Sequence, residues 1–340
     1  MTATEGAIRV PITIRDVAAA AGVSAGTVSR VLNGKESVDA ELRRRVLDAV
    51  SELGYRPNGA ARSLRTRAAM VLGLVISDIT NSFFTAVVRG VEDKAQQAGY
   101  SVVLANADED LDKESRYLEV AAAEQMAGVI LSPASAKRTA IGVLRDRGIP
   151  VVTIDRRLAS GEVDSVTVNN HQAARDATAH LLGQGCSRIG MIAGPAQTFT
   201  GASRLAGYRA ELRACGVPEL VAFGDFRIDG GYAAARSLLA AKRPPDGLLI
   251  SNDLMSIGAL RAIGEAGLSI PGDIAVVGFD NASWATALRP PLTVVTQPTY
   301  DIGQTAVGLL LRRVGGEKFP PRRVVLRASL VVRASSTRAP

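Results

Sequence analysis

The sequence predicts a small all-helical unit at the N-terminus, followed by a larger α/β region of two doubly wound parallel sheets. Three observations carry that expectation. Residues 1–67 show short helical patterns separated by turns and no strand pattern. From Ala69 onward, apolar β-branched runs alternate with amphipathic helical stretches, as in parallel strands covered by helices. Finally, 340 residues exceed what one small core organises, and roughly 270 residues of this alternation suit two lobes.

In the first unit, Thr13 can cap a helix whose third residue is Asp16, a variant of the capping box. Val17, Ala20 and Ala21 form its apolar side, and Gly22 stops it where a positive φ is needed. Ser24 caps a second helix carrying Val28, Val31 and Leu32, ended by Asn33-Gly34. Asp39 begins a third, with Leu42, Val46, Ala49, Val50 and Leu53 at helical spacing and Gly54 at its end. Two helices joined by a tight glycine turn, with a third behind them, make a helix-turn-helix. Pro57-Asn58 opens a fourth segment, Gly59–Arg65, with almost no apolar face. Seven residues are too few to stay helical alone in water, so this segment needs a partner to fold.

In the α/β region the expected strands are Val71–Ile76, Ser101–Ala105, Gly128–Leu131, Val151–Ile154, Ile189–Ile192, Gly247–Ile250 and Ile274–Val277. Several end in polar groups: Ser77-Asp78, Asp155-Arg156, Ser251-Asn252-Asp253 and Gly278-Phe279-Asp280. In open parallel sheets, ligands bind beyond the carboxyl ends of strands. Carboxylates and amides near an arginine suit a neutral, hydroxyl-rich ligand, because each hydroxyl both donates and accepts. Asp155, Asn252 and Asp280 would accept, and Arg204 would donate. From spacing alone, the same Asp and Asn residues serve equally well as helix caps.

Composition narrows the class. With 47% hydrophobic and 21% charged residues, the chain reads as a globular protein rather than a disordered one. No apolar run approaches the roughly 18 residues of a membrane span, and the stretch Met70–Ile76 is far too short. The N-terminus has no secretory pattern, so residence in the cytoplasm is expected. Both cysteines, Cys186 and Cys215, are expected to be buried and unpaired. Residues 1–67 hold eleven Lys/Arg against seven Asp/Glu, so most of the chain's net +7 lies in its first fifth. Such clustering suits contact with phosphates.

Catalysis finds little support. No GxGxxG follows a strand, and neither a Walker loop nor a GxSxG elbow is present. His171 and His180 sit on a helical stretch without a nucleophile partner, and a solvated or packed role fits both. No metal or cofactor is implied.

The run TIRDVAAAAGVSAGTVSRVLN at Thr13–Asn33, continued by LGYRPNGAARSL at Leu53–Leu64, resembles the DNA-binding headpiece and hinge of the LacI/GalR family. Further similarities follow in the family's order: NSFF at Asn81–Phe84, VVTID at Val151–Asp155, SRLAGY at Ser203–Tyr208, SND at Ser251–Asp253, VVGFDN at Val276–Asn281 and PPLTVVTQP at Pro290–Pro298. The resemblance spans about residues 13–337 and implies a transcription regulator, most simply a repressor, on a palindromic double-stranded operator. It implies a headpiece at 1–56, a hinge at 57–68 and a periplasmic-binding-protein-like domain at 69–340. The first lobe would comprise about 69–166 with 297–325, and the second about 167–296 with 326–337.

Residue by residue, the resemblance places Ala25, Gly26 and Arg30 against base edges in the major groove. Arg30 can pair bidentately with guanine, Ala25 can at most touch a thymine methyl, and Gly26 offers no side chain. Ser24, Thr27, Ser29 and Asn33 become phosphate contacts, with helix capping an equal reading for Ser24. Asn58, Ala61 and Leu64 fall on the hinge, Leu64 as a wedge in the minor groove or else packed on the regulatory domain.

Ligand positions carry over onto Phe83, Phe84, Asp155, Thr200, Arg204, Phe226, Asn252 and Asp280. Thr198 stands where a nucleobase-binding relative has a second arginine, which leaves a sugar or sugar derivative as the expected effector. Trp284 either lines the pocket or seals a subunit or lobe contact. A homodimer is implied. A tetramer is also open, although no heptad segment follows Arg338. Two other readings use part of the chain: a solute-binding protein would leave the headpiece idle, and an α/β enzyme using Asp155, Asp253 or Asp280 lacks the motifs above.

Overall fold

The computed structural model describes residues 12–32, 38–55 and 69–338, and the chain divides into two compact units, residues 1–69 and 70–340. The first unit contains α1 (Ile14–Ala21), α2 (Ala25–Leu32) and α3 (Ala40–Glu52). The Asp16 carboxylate accepts from the Thr13 N–H and hydroxyl, both at 2.7 Å, which fixes the start of α1. Gly22 ends the helix at φ 62°. There Arg45 of α3 donates to the Ala21 carbonyl at 2.6 Å, placing a cation at a helix C-terminus. A Cβ on Gly22 would lie 2.6 Å from that guanidinium, so glycine serves both the turn and the contact. Ser24 caps α2 by accepting from the Thr27 N–H at 3.1 Å, and Asp39 caps α3. Val17, Ala18, Ala21, Val28, Val31, Val46 and Ala49 form the core, a small one made mostly of short side chains.

The second unit holds two six-stranded sheets. The first runs in the order β11-β5-β4-β3-β1-β2, from β1 (Ala69–Ile76), β2 (Ser101–Asn106), β3 (Met126–Leu131), β4 (Val151–Ile154), β5 (Asp164–Val168) and β11 (Arg323–Leu326). The second runs β12-β10-β9-β8-β6-β7, from β6 (Ile189–Ala193), β7 (Leu220–Phe223), β8 (Gly247–Ile250), β9 (Ala275–Phe279), β10 (Thr293–Thr296) and β12 (Ser329–Val331). The β10–β12 pair is antiparallel. The chain therefore crosses between lobes three times: after β5, after β10 and after β11.

Helices cover both sheets. They are α4 (Ser82–Gln97), α5 (Leu111–Ala123), α6 (Gly142–Arg145), α7 (Asn170–Gly183), α8 (Phe199–Ala214), α9 (Ile228–Leu239), α10 (Asp253–Glu265), α11 (Trp284–Ala287) and α12 (Thr299–Val314). All seven expected strands are present, within two residues at each end. Five more strands, β5, β7, β10, β11 and β12, escaped the pattern because they are short, flanked by polar residues, or at sheet edges. One expectation fails: Cys186 is buried, but Cys215 is exposed, because it caps the last turn of α8 at the surface.

Tyr208 fastens α8 to the second sheet. Its buried hydroxyl donates to the Ile189 carbonyl at 2.7 Å and accepts from the Leu220 N–H at 2.9 Å. Burial pushes its phenol up to about 12. His180 lies in α7 with Nε2 2.7 Å from the Ser336 hydroxyl, and burial holds its imidazole below the usual range.

Glycines set how closely α4 and α12 cross. A Cβ on Gly90 would overlap the Tyr300 carbonyl, whereas one on Gly308, farther along α12, would meet nothing within 4 Å. G90A should therefore cost about 1–3 kcal/mol by overpacking. G308A should gain up to about 1 kcal/mol, because helical glycine is entropically costly. Urea midpoints of the two variants check both signs.

Candidate functional site

The carboxyl ends of the strands in the two lobes face one cleft, whose atom-free space of about 500 Å³ includes its opening to solvent. All eight ligand positions expected from sequence line it: Asp155 after β4, Asn252 after β8, Asp280 after β9, Phe83 and Phe84 on α4, Thr200 and Arg204 on α8, and Phe226 after β7. The two phenylalanines meet edge to face, their centroids 5.0 Å apart, and make an apolar wall.

Arg204 is the centre of this arrangement and is only 3 % exposed. Its Nε donates to Asn170 Oδ1 at 2.7 Å, another of its nitrogens donates to the Ser251 carbonyl, and its guanidinium lies 4.2 Å from the Phe279 ring centroid. Burial pushes its pKa down, while the neighbouring Asp280 and Asp155 pull it up. Burial likewise pushes the Asp155 carboxyl up, against the pull of Arg156 and Arg204.

The Asp280 carboxyl is pushed up to about 7, first by burial. Asp253 and Asp155 add repulsion, while Arg204 and a hydrogen bond from Gln297 oppose the shift. That bond runs from Gln297 Nε2 to Asp280 Oδ1 at 2.5 Å. Asn252 takes the capping reading of its spacing, on a residue that also borders the cleft. Its Oδ1 caps α10 by accepting from the Met255 N–H at 3.0 Å, and its Nδ2 donates to the Phe226 carbonyl at 2.9 Å.

Backbone strain gathers in the same place. Asp155, Phe226 and Asp280 have φ of 61°, 66° and 70°, each costing on the order of 1–3 kcal/mol for a residue other than glycine. Gly194 makes room for one of them, because a Cβ there would overlap the Phe226 ring. Three buried polar side-chain atoms make no hydrogen bond among the described residues, Asn170 Nδ2, Ser251 Oγ and Gln297 Oε1, and a fourth, Arg156 Nε, makes only an ion pair with Asp155 Oδ2 at 3.4 Å. All belong to the cleft lining or to residues touching Arg204. Such atoms are costly unless something else meets them.

The lining also includes residues the sequence reading did not assign to the site. Arg156 pairs bidentately with Glu109, both bonds at 2.5 Å. Its adjacency to Asp155 was a usable signal, but Glu109, in a loop at φ 61°, gave none. Asp225 and Arg227 flank Phe226, and Gln297 belongs to the PPLTVVTQP run. Asp78 and Asn81 also border the cleft but serve local turns, Asp78 with Thr80 and Asn81 as the cap of α4. The lining thus has five acidic side chains against three arginines.

Thr198 caps α8 and is absent from the lining, and Trp284 packs on the core of the second sheet. His171 is exposed outside the cleft.

In the helix-turn-helix, Gly26 and Arg30 are exposed one helical turn apart on α2, with Ala25 half-buried beside them. Ser24 is exposed and Thr27 half-buried, their hydroxyls 3.0 Å apart, while Ser29 is buried at 8 %. Asn33, Asn58, Ala61 and Leu64 lie outside the described residues.

Residues 13–58 match the profile of bacterial regulatory proteins of the lacI family, and residues 178–336 match that of a periplasmic binding protein-like domain. The chain is 38% identical to the ribose operon repressor of Halalkalibacterium halodurans, over 95% of this chain and 97% of that protein. Among solved structures, a lac repressor dimer bound to operator and the anti-inducer ONPF superposes with TM-score 0.87 at 29% identity, over 96% of this chain and all of that one. A CelR–cellobiose complex gives TM-score 0.73 at 35% identity, over 95% and 99%.

The raised Asp280 predicts a pH dependence. A carboxyl whose folded value exceeds its ordinary 3.8 contributes stability at low pH that is lost as pH rises through about 7. The stability of D280N relative to wild type should therefore improve from pH 4 to pH 7 and level off above it. Urea unfolding across that range checks this, and a constant difference would contradict a raised Asp280.

Proposed function

The chain belongs to the LacI family of bacterial regulatory proteins, and from that premise we propose that it is a dimeric, sugar-responsive repressor. Its relatives are named repressors and regulators, and the chain is a regulator rather than an enzyme. We divide it into a headpiece at 1–56, a hinge at 57–68 and a ligand-binding domain at 69–340. A regulator of chromosomal DNA works in the cytoplasm, and no described helix is long and apolar enough to cross a membrane.

The observation that carries the sugar reading is the acid-rich cleft around buried Arg204. Five acidic side chains against three arginines disfavour an anion, while Gln297 Oε1 in the lining, with Asn170 Nδ2 and Ser251 Oγ behind it beside Arg204, makes no hydrogen bond and suits a hydroxylated guest. The similarity to ribose operon repressors makes D-ribose the first candidate. Asp155, Asp280 and Asn252 would hold hydroxyls, Arg204 would donate to them, and Phe83, Phe84 and Phe226 would cover the apolar faces of the ring.

On DNA, Arg30 reads a base while Ser24 and Thr27 seat the helix on phosphates. The dimer is supported by the edge strands β2 and β7, which leave Val103, Leu104 and Phe223 between 37% and 54% exposed. Ligand closes the cleft and alters the dimer geometry in which the two hinges meet on the operator.

The test uses a palindromic duplex selected from a random pool. Fluorescence anisotropy should show nanomolar-class binding that weakens steeply with salt and is released by D-ribose. Binding of equal strength to random DNA would contradict a repressor. R30A should lose about 1–3 kcal/mol and relax preference at one base pair of each half-site. An unchanged preference would remove Arg30 from the reading face.

A further inference from the structure

We propose that Ser82 and Asp253 form a latch across the cleft, a hydrogen bond between the lobes that sets how readily the cleft closes. Ser82 is the first residue of α4 in one lobe, and Asp253 the first of α10 in the other. The Ser82 hydroxyl donates to Asp253 Oδ2 at 2.6 Å. Neither residue lines the cleft around Arg204, although Ser82 borders the adjoining cavity beside Phe83, Asp280 and Gln297.

Asp253 is only 2 % exposed, and a carboxylate so buried needs polar partners. Its own helix supplies one side. Oδ1 accepts from the Leu254 N–H at 2.8 Å, and the helix N-terminus favours negative charge. The other lobe supplies Ser82. The lobes are otherwise joined by the three chain crossings, which persist whether the cleft is open or shut, and by contacts such as the Arg157 guanidinium, 4.8 Å from the Phe199 ring centroid. Opening must break the Ser82–Asp253 bond and return both groups to water.

The latch also bears on the cleft chemistry. Asp253 is close enough to repel the charge on Asp280, so separating α4 from α10 changes the field where a ligand would sit. Because a closed-state ligand binds in proportion to the closed population, a bond made only on closure raises affinity without touching the ligand.

This inference rests on the cleft taking a small ligand, but its first test needs none. Hydrogen exchange is measured on full-length, ligand-free wild type, S82A and S82T. S82A should exchange about tenfold faster over residues 81–86 and, in the opposite lobe, over 252–258, and S82T should restore protection in both. A change confined to 81–86 would overturn the latch, because a local defect in α4 does not cross the cleft. With D-ribose as the probe, S82A should raise the dissociation rate about tenfold and leave association unchanged, whereas an unaltered dissociation rate would also count against the latch. A wild type that ignores D-ribose contradicts the proposed effector alone, and the exchange result still decides the latch.

Discussion

A buried guanidinium, held by Asn170 and the Ser251 carbonyl in the field of two carboxyls, is the constraint around which the cleft is arranged. Arg204 cannot stay charged at 3 % exposure without opposing charge, and Asp155 and Asp280 supply it from two lobes. That requirement brings the ends of β4 and β9 to one point and brings α8 against them. It leaves the carboxyls themselves strained, both in the left-handed backbone region and both raised by burial. The strain and the buried atoms without hydrogen bonds occur together, which fits the proposed ligand site.

Much of this was legible in the sequence, for physical reasons that differ from place to place. Strands buried on both faces, such as Val151–Ile154 and Gly247–Ile250, announce themselves as unbroken apolar runs. Polar residues directly after such runs mark the cleft, so Asp155, Asn252 and Asp280 could be picked out from spacing before any family pattern was considered. Spacing could not say whether Asn252 caps a helix or faces a ligand; in the fold its Oδ1 caps α10 and its Nδ2 donates to the Phe226 carbonyl.

What escaped has no local signature. Glu109 reaches the cleft through a loop and matters only because Arg156, 47 residues away, requires a partner. The edge strands β11 and β12 are held by pairing with β5 and β10, contacts that depend on tertiary structure and not on their own composition. Cys215 was misjudged because cysteine is usually buried, and nothing local revealed that it ends α8 at the surface. In the smaller unit, capping groups and glycine turns were readable because they act within four residues of where they stand.

The central claim is that acidic groups around the buried arginines of the cleft select a neutral, hydroxylated ligand. Calorimetric titration of the full-length protein with D-ribose and with D-ribose 5-phosphate tests it most directly. The account predicts binding of the neutral sugar and at least about a hundredfold loss for the phosphate ester, from unscreened repulsion in a desolvated site. Equal or tighter binding of the ester would contradict it.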